Sequence, residues 1–264
     1  MMNTMQVAEI ASSFVAAGLW ISGATLAGER LGSRMAGLVS NLPSNCLISM
    51  LFVALTRGSV YAAASASSVP IGMAVNTLFM VAFILAVPMG LGRGLGVSLS
   101  VWLVLTILAT GLPDLSLTGA IVVYLVVGVA SLLFLERWMN IPAVPKRPVP
   151  FRLSVLLARA CFAGAVVAGA VTLAQVAHPY LTGIASTFPA VFTSTLVILT
   201  RSQGVAFARS TAKMLVLSSS NIIVYAVSIA LLFPVVGPWL GSLVGFIIAA
   251  LFVTLLAPIA KKLA

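Results

Sequence analysis

Two prolines lie inside apolar segments beside small polar side chains, and this pattern is the one in the chain best suited to binding a solute. Pro43 and Pro189 stand 146 residues apart. A proline inside a helix removes a backbone hydrogen bond, and the freed carbonyl groups need polar partners. The candidate solute-binding residues around the two prolines, together with one asparagine further along, are Ser40, Asn41, Pro43, Ser44, Asn45, Ser186, Thr187, Pro189, Thr193, Ser194 and Asn221.

The chemistry expected at such a break is anion binding. If each helix stops before its proline, the next piece begins with unpaired N–H groups that carry a partial positive charge. Each proline alone fits equally well a kink that neighbouring hydroxyl groups satisfy locally. The presence of two matched breaks favours a solute site.

Two basic residues, Arg209 and Lys213, form a candidate anion gate. They are four residues apart, so they share one face of a helix. The alternative is that both side chains reach the lipid headgroups, as long basic side chains near a helix end commonly do.

Catalytic chemistry is disfavoured by the residue inventory. The chain has one histidine, two cysteines and four acidic residues, which are Glu9, Glu29, Asp114 and Glu136. They form no paired carboxylates, no nucleophile–base pair and no metal-ligand spacing. The sequence therefore predicts no catalytic residue, no metal site and no cofactor, and the protein is not expected to be an enzyme.

The elements that carry these residues are transmembrane helices. Apolar residues make up 61% of the 264-residue chain, only 7% are charged, and the mean hydropathy is +1.21. The apolar runs are continuous and about 20 residues long, which favours helices over a barrel. Nine spans are predicted, at residues 7–27, 35–56, 62–88, 95–112, 118–136, 154–176, 181–200, 207–234 and 239–258.

The basic residues predict the orientation of these spans. If the N-terminus lies outside, every lysine and arginine except Arg57 falls on or near the cytoplasmic side, as does the C-terminus. This distribution predicts an integral plasma (inner) membrane protein. The net charge of +10 then reports orientation and attraction to anionic lipid, and a nucleic-acid partner is not expected.

The chain also contains an internal repeat. A shift of 146 residues superimposes Gly37 on Gly183, Pro43 on Pro189 and Gly58 on Gly204. The repeat divides the chain into residues 1–112 (spans 1–4), a segment 113–153 with span 5 and a Pro-rich linker, and residues 154–264 (spans 6–9). Corresponding helices are five spans apart, so the halves have opposite orientations, with Pro-interrupted helices 2 and 7.

The first half contains a short motif, which consists of Ala36, Gly37 and Leu38, then Pro43, then Arg57 and Gly58. In this motif the chain resembles the GlpM family of small four-span membrane proteins. The second half retains the glycines and the proline but has Gln203 where Arg57 stands. The resemblance implies that this chain is a fused, duplicated version of such a four-span unit, and it implies little about the substrate.

Three functions are compatible with these observations. The favoured one is a secondary carrier or facilitator for a small, anionic solute, with its site between two inverted repeats. The alternatives are a non-transporting assembly or scaffold protein, and a lipid-handling flippase or enzyme. The expected partners are the solute and membrane lipid, and pairs of small residues such as Gly241 and Gly245 are compatible with a homodimer.

Overall fold

The computed structural model describes residues 4–30, 42–111, 113–142, 144–145 and 153–263. Every regular element in these ranges is helical. The α-helices are α1 Thr4–Arg30, α2 Ser44–Arg57, α3 Ser59–Ala66, α4 Val69–Ala86, α5 Leu91–Thr110, α6 Leu117–Leu133, α7 Leu153–Ala174, α8 Pro179–Ser186, α9 Ala190–Gln203, α10 Val205–Ser218 and α11 Ser220–Leu263. A 3₁₀ turn, Val87–Met89, follows α4, and a π-helical turn, Phe134–Trp138, follows α6.

Six segments of the described chain are long and apolar enough to cross a membrane. The last of them is interrupted at Gly237, whose φ of 79° and ψ of 172° are not helical, and it covers the predicted spans 8 and 9. Two further apolar helices, Val7–Trp20 and Ser44–Arg57, are shorter. The prediction of an all-helical membrane protein is confirmed, and the number of nine spans stays a prediction.

The distribution of polarity suits a lipid environment. Large apolar side chains point outward from the peripheral helices, for example Leu108, Val126 and Leu251, which are 60–64% exposed. Serine and threonine side chains such as Ser98 and Thr182 are fully buried. This is the arrangement expected where lipid covers the surface and backbone or side-chain polar groups must be satisfied inside.

The helices that follow the two prolines have matching geometry. Pro43 and Pro189 both have φ −76° and ψ 43°, and each lies immediately before the first residue of its helix. The same two backbone hydrogen bonds follow each proline, namely Ser44 N to Leu42 O (2.7 Å) and Leu47 N to Pro43 O (2.8 Å), and Ala190 N to Phe188 O (2.7 Å) and Thr193 N to Pro189 O (2.7 Å).

Both of these helices also end in the same way. Gly58 follows the last residue of α2, with φ 89° and ψ 159°, and Gly204 follows the last residue of α9, with φ 93° and ψ 170°. This backbone region is essentially restricted to glycine, because a side chain there would clash with the main chain. One glycine therefore forms the whole connection to the next helix in each half.

The predicted spans 3 and 8 contain breaks that the sequence pattern did not indicate. Span 3 divides into α3 and α4 at Ser67 and Ser68, because Pro70 has no N–H to continue the helix and nearby serine hydroxyls bond to backbone carbonyls. Span 8 divides into α10 and α11 at Ser219, whose hydroxyl donates to Val216 O at 2.8 Å.

Helix α4 is the most buried of the candidate spans and contacts α5, α6, α8, α10 and α11. Two glycines allow α8 and the residues after it to lie directly against α3 and α4. A Cβ atom at Gly183 would overlap the Ser65 carbonyl and the Ser68 hydroxyl, and one at Gly72 would overlap Thr187. At these two glycines, the backbone of one half of the chain therefore lies in direct contact with the other half.

Two glycines within the apolar helices, one of them from the pair Gly241 and Gly245, serve packing within the chain. Gly164 lies against Phe14 of α1, and Gly241 lies against Phe233 across the kink at Gly237. A homodimer therefore needs other surfaces than these glycine faces.

The close approach at Gly183 predicts a specific loss of stability. Gly183→Ala forces α8 away from α3, and we expect the free energy of unfolding to fall by about 1–3 kcal/mol. Gly169→Ala is the matched control, because nothing lies within 4 Å of the added methyl group. Thermal unfolding in detergent, followed by intrinsic fluorescence, measures both, and equal midpoints for the two variants would contradict the packing described.

Candidate functional site

The centre of the candidate site is the interruption between α8 and α9, residues Thr187–Pro189, termed here the α8–α9 break. Helix α8 ends in a tighter turn, in which Thr187 N donates to Ile184 O at 3.1 Å and Phe188 N donates to Ala185 O at 3.0 Å. Helix α9 begins at Ala190, immediately after Pro189. The prediction that the proline interrupts span 7 is confirmed.

Asn76 of α4 satisfies the carbonyl left over at the α8–α9 break. Its Nδ2 donates to Thr187 O at 2.6 Å, and Asn76 is 1% exposed. Because a carbonyl oxygen can only accept, this contact fixes which end of the amide faces the break. The other end, Oδ1, is buried and has no hydrogen-bond partner among the described residues.

Phe188, the middle residue of the α8–α9 break, is held by aromatic rings on two helices. Trp102 of α5 makes an edge-to-face contact with a centroid distance of 4.9 Å, and Phe162 of α7 makes another at 6.4 Å. The indole Nε1–H of Trp102 is buried without a hydrogen-bond partner in the described part of the chain. A second unsatisfied polar atom therefore lies next to the break.

The third unsatisfied group is the hydroxyl of Thr193, in the first turn of α9. Thr193 is 9% exposed, and its Oγ1 bonds to no described residue, although its backbone N–H donates to Pro189 O. The helix start has no side-chain cap, so the N–H groups of Val191 and Phe192 are the orphan donors of the first turn. Residues that carry indole, hydroxyl and backbone donors thus contact or adjoin the α8–α9 break, as does Asn76, which carries an acceptor.

The helix start in the first half has the same features in reduced form. α2 also lacks a side-chain cap after the buried Pro43. The Oδ1 atom of Asn45 and the hydroxyl of Ser49, one turn apart on α2, are buried without hydrogen-bond partners among the described residues. Ser40 and Asn41 lie outside the described residues.

The remaining predicted site residues mostly bond to their own helices. Ser186 Oγ donates to Gly183 O at 2.7 Å, Thr187 Oγ1 to Ile184 O at 2.6 Å, and Ser194 Oγ to Val191 O at 3.0 Å. Ser44 is half-buried at the start of α2, and Asn221 is buried at the start of α11. Three of the predicted hydroxyl groups are therefore already satisfied.

Asn76 and Trp102 were not among the predicted site residues. The sequence signal available for Asn76 was an amide within an otherwise apolar segment, and for Trp102 there was none, since an aromatic residue in a span is ordinary. Their significance follows from tertiary contacts with residues more than 80 positions away.

The two candidate gate residues have different environments. Lys213 is 4% exposed, and its ammonium group contacts Glu136 Oε2 at 3.1 Å and donates to Ile141 O at 2.9 Å. It therefore ties α10 to the π-helical turn and the segment after it. Arg209 is half-buried, with a shielded Nε that has no partner in the described ranges. Of the two, Arg209 is the cation available to an anion.

Hydrogen bonds between the two halves of the chain hold the start of α8, at the end opposite the α8–α9 break. Tyr61 OH donates to Ala177 O at 2.7 Å and lies 2.8 Å from Thr182 Oγ1. Ser68 Oγ donates to Tyr180 O at 2.8 Å. Helix α8 is therefore bonded to α3 and to the turn before α4.

Among the described side chains, no acidic, histidine or cysteine residue is hydrogen-bonded to the α8–α9 break. His178 Nδ1 lies 3.3 Å from Asp114 Oδ2 on the surface, where such pairs contribute little to stability. In the described ranges no group of three or more His, Cys, Asp or Glu side chains could hold a metal ion.

The ion pair of Lys213 predicts an unequal response to removing either partner. Glu136→Gln leaves a buried ammonium group without its counter-charge, so we expect the free energy of unfolding to fall by about 1–3 kcal/mol. Lys213→Met leaves Glu136, whose side chain is 44% exposed and can be hydrated, so the loss is smaller. Thermal unfolding in detergent compares them, with Glu9→Gln as the control, and a larger loss for Lys213→Met would contradict the pairing described.

Comparisons of the chain with protein families, with curated proteins and with solved structures find no match. The resemblance of the first half to the GlpM family stays a prediction.

Proposed function

We propose that this protein is a membrane transporter that moves a small, anionic solute through the α8–α9 break. The observation that carries the proposal is that residues from both halves of the chain, each with a buried and unsatisfied polar atom, contact or adjoin the α8–α9 break. Asn76 and Trp102 belong to residues 1–112, whereas Thr193 belongs to residues 154–264. Because an unsatisfied buried polar group costs about 1–3 kcal/mol, three such groups at one place are best explained by a ligand that satisfies them.

The proposal includes an inverted duplication of the chain. It is supported by the identical backbone angles at Pro43 and Pro189, and by the matching single-glycine connections at Gly58 and Gly204. Given nine spans, the repeated units are five spans apart and have opposite orientations. In transporters with inverted repeats, solute sites lie between the repeats at interrupted helices, and the proposal assigns that position to the α8–α9 break.

The chemistry of the site favours an anion of small size. The donors are the Trp102 indole N–H, the Thr193 hydroxyl and the N–H groups of Val191 and Phe192, at a helix end with partial positive charge. Asn76 Oδ1 is the one acceptor named among them, suited to a hydroxyl or a protonated group of the solute. Arg209 is half-buried and forms no ion pair with any described residue, and it is the candidate gate residue.

A scaffold role is less well supported by the same contacts. In a protein that serves only assembly, buried hydroxyl and amide groups are expected to be satisfied or replaced by apolar ones, since either change raises stability. The locally bonded Ser186 and Ser194 fit such a role, but Asn76, Trp102 and Thr193 do not. An N-terminus outside and a location in the plasma (inner) membrane complete the proposal, on the distribution of basic residues.

The direct test is a flux screen in proteoliposomes. Purified protein is reconstituted into vesicles, and uptake of a panel of small inorganic and carboxylate anions is compared with that of neutral solutes and small cations. We expect selective uptake of at least one anion above protein-free vesicles. If correctly inserted protein moves none of the solutes, transport is contradicted, and if it moves cations or neutral solutes instead, the anionic assignment is wrong.

Thr193→Val separates a solute-binding role from a structural role. The substitution keeps the shape of the side chain and removes an unsatisfied hydroxyl, so we expect stability to rise by about 1 kcal/mol while flux falls at least tenfold. Thr200→Val is the matched control on the same helix, because the Thr200 hydroxyl donates to Leu196 O at 2.7 Å. We expect Thr200→Val to retain flux.

The measurements are thermal unfolding in detergent and initial uptake rates from equal amounts of inserted protein. Full flux with Thr193→Val would exclude Thr193 as a site residue. A loss of both stability and flux would show that the hydroxyl has a structural role instead.

A further inference from the structure

We infer a second site, for an anionic phospholipid, on the exposed side of the π-helical turn Phe134–Trp138, facing away from the helix bundle. A cavity of about 330 Å³ lies there, lined by Ala130, Leu133, Phe134, Arg137 and Trp138. It is separate from the α8–α9 break, and the inference does not depend on transport.

The π-helical turn separates two adjacent charges of opposite sign. Glu136 lies toward Lys213, which holds its carboxylate at 3.1 Å. Arg137 is exposed beside the cavity and has no carboxylate partner in the part of the chain that the structure describes. π-Helical turns inside helices occur frequently at functional sites, and here the turn leaves a guanidinium group free at the cavity.

The surroundings of Arg137 match the parts of a phospholipid at the membrane boundary. Ala130, Leu133 and Phe134 provide an apolar wall on α6 and the turn, which suits an acyl chain. Trp138 is 80% exposed, lies at the end of the candidate span Leu117–Trp138, and makes an edge-to-face contact with Phe134 at 5.8 Å. Tryptophan is enriched at the headgroup level of membranes.

Charge selects the class of lipid. Arginine binds phosphate oxygens through paired N–H donors, and the positive charge of Arg137 favours a lipid with net negative charge over a zwitterionic one. The sequence that follows continues with Lys146 and Arg147, which adds to the basic character of the segment. The occupant is therefore an anionic phospholipid such as phosphatidylglycerol, with its phosphate at Arg137 and an acyl chain along Leu133.

The test uses quenching of tryptophan fluorescence by brominated lipids in mixed micelles of the full-length protein. The contribution of Trp138 is the difference between the unchanged protein and Trp138→Phe. We expect brominated phosphatidylglycerol to reach half-maximal quenching of Trp138 at a mole fraction at least threefold lower than brominated phosphatidylcholine. We expect this preference to decrease at high salt, because the phosphate contact is screened.

Arg137→Gln, with Arg93→Gln as the matched control, tests the residue assignment. Both arginines are exposed, but Arg93 lies at the start of α5 and does not line the cavity. We expect Arg137→Gln to abolish the preference for phosphatidylglycerol and Arg93→Gln to retain it, with unchanged elution on size-exclusion chromatography. Equal quenching by both lipids in the unchanged protein, or a preference that survives in Arg137→Gln, would overturn the inference.

Discussion

A broken helix inside an apolar environment must find hydrogen-bond partners for its backbone, and the contact between Asn76 and Thr187 O meets this requirement at 2.6 Å. Without it, the carbonyl at the end of α8 would face a low-dielectric interior at a cost of several kcal/mol. The contact joins α4, the most buried candidate span, to the second half of the chain. The glycines at 72 and 183 bring the helices close enough for this single side chain to span the gap.

Polar groups that have hydrogen-bond partners support the structure of this molecule, whereas those without a described partner mark the candidate site. The hydroxyls of Ser186, Thr187 and Ser194 donate to backbone carbonyls of their own helices, on either side of the α8–α9 break. Thr193 and Trp102 lie beside them with polar atoms that have no partner in the described residues. Thr193 and Ser194 are adjacent on α9, so a difference of one position decides whether a hydroxyl group bonds to the backbone or remains available to a ligand. The same distinction applies to charge, since Glu136 engages Lys213 whereas Arg209 has no counter-ion in the described ranges.

Much of the architecture could be predicted from the sequence because it follows from local rules. Continuous apolar runs predicted the helices, and Pro189 with its polar neighbours predicted the break, since a proline acts on its own helix. The divisions of spans 3 and 8 were missed because serine is tolerated in transmembrane helices, and its effect depends on which carbonyl it reaches. Asn76 and Trp102 were missed as site residues for a related reason. Their roles depend on contacts between distant segments, and neither residue type marks a site by itself.

The single-glycine connections at Gly58 and Gly204 restrict how the halves can move. A loop of several residues would let two neighbouring helices shift, slide and rotate independently. Here, two backbone dihedral angles of one residue set the orientation of α2 relative to α3, and two others set that of α9 relative to α10. In each pair of helices, the φ and ψ angles of the connecting glycine are thus the two degrees of freedom for relative rotation. Any change in the orientation of α9 relative to α10, which carries Arg209 and Lys213, therefore has to be made at Gly204 if both helices stay intact.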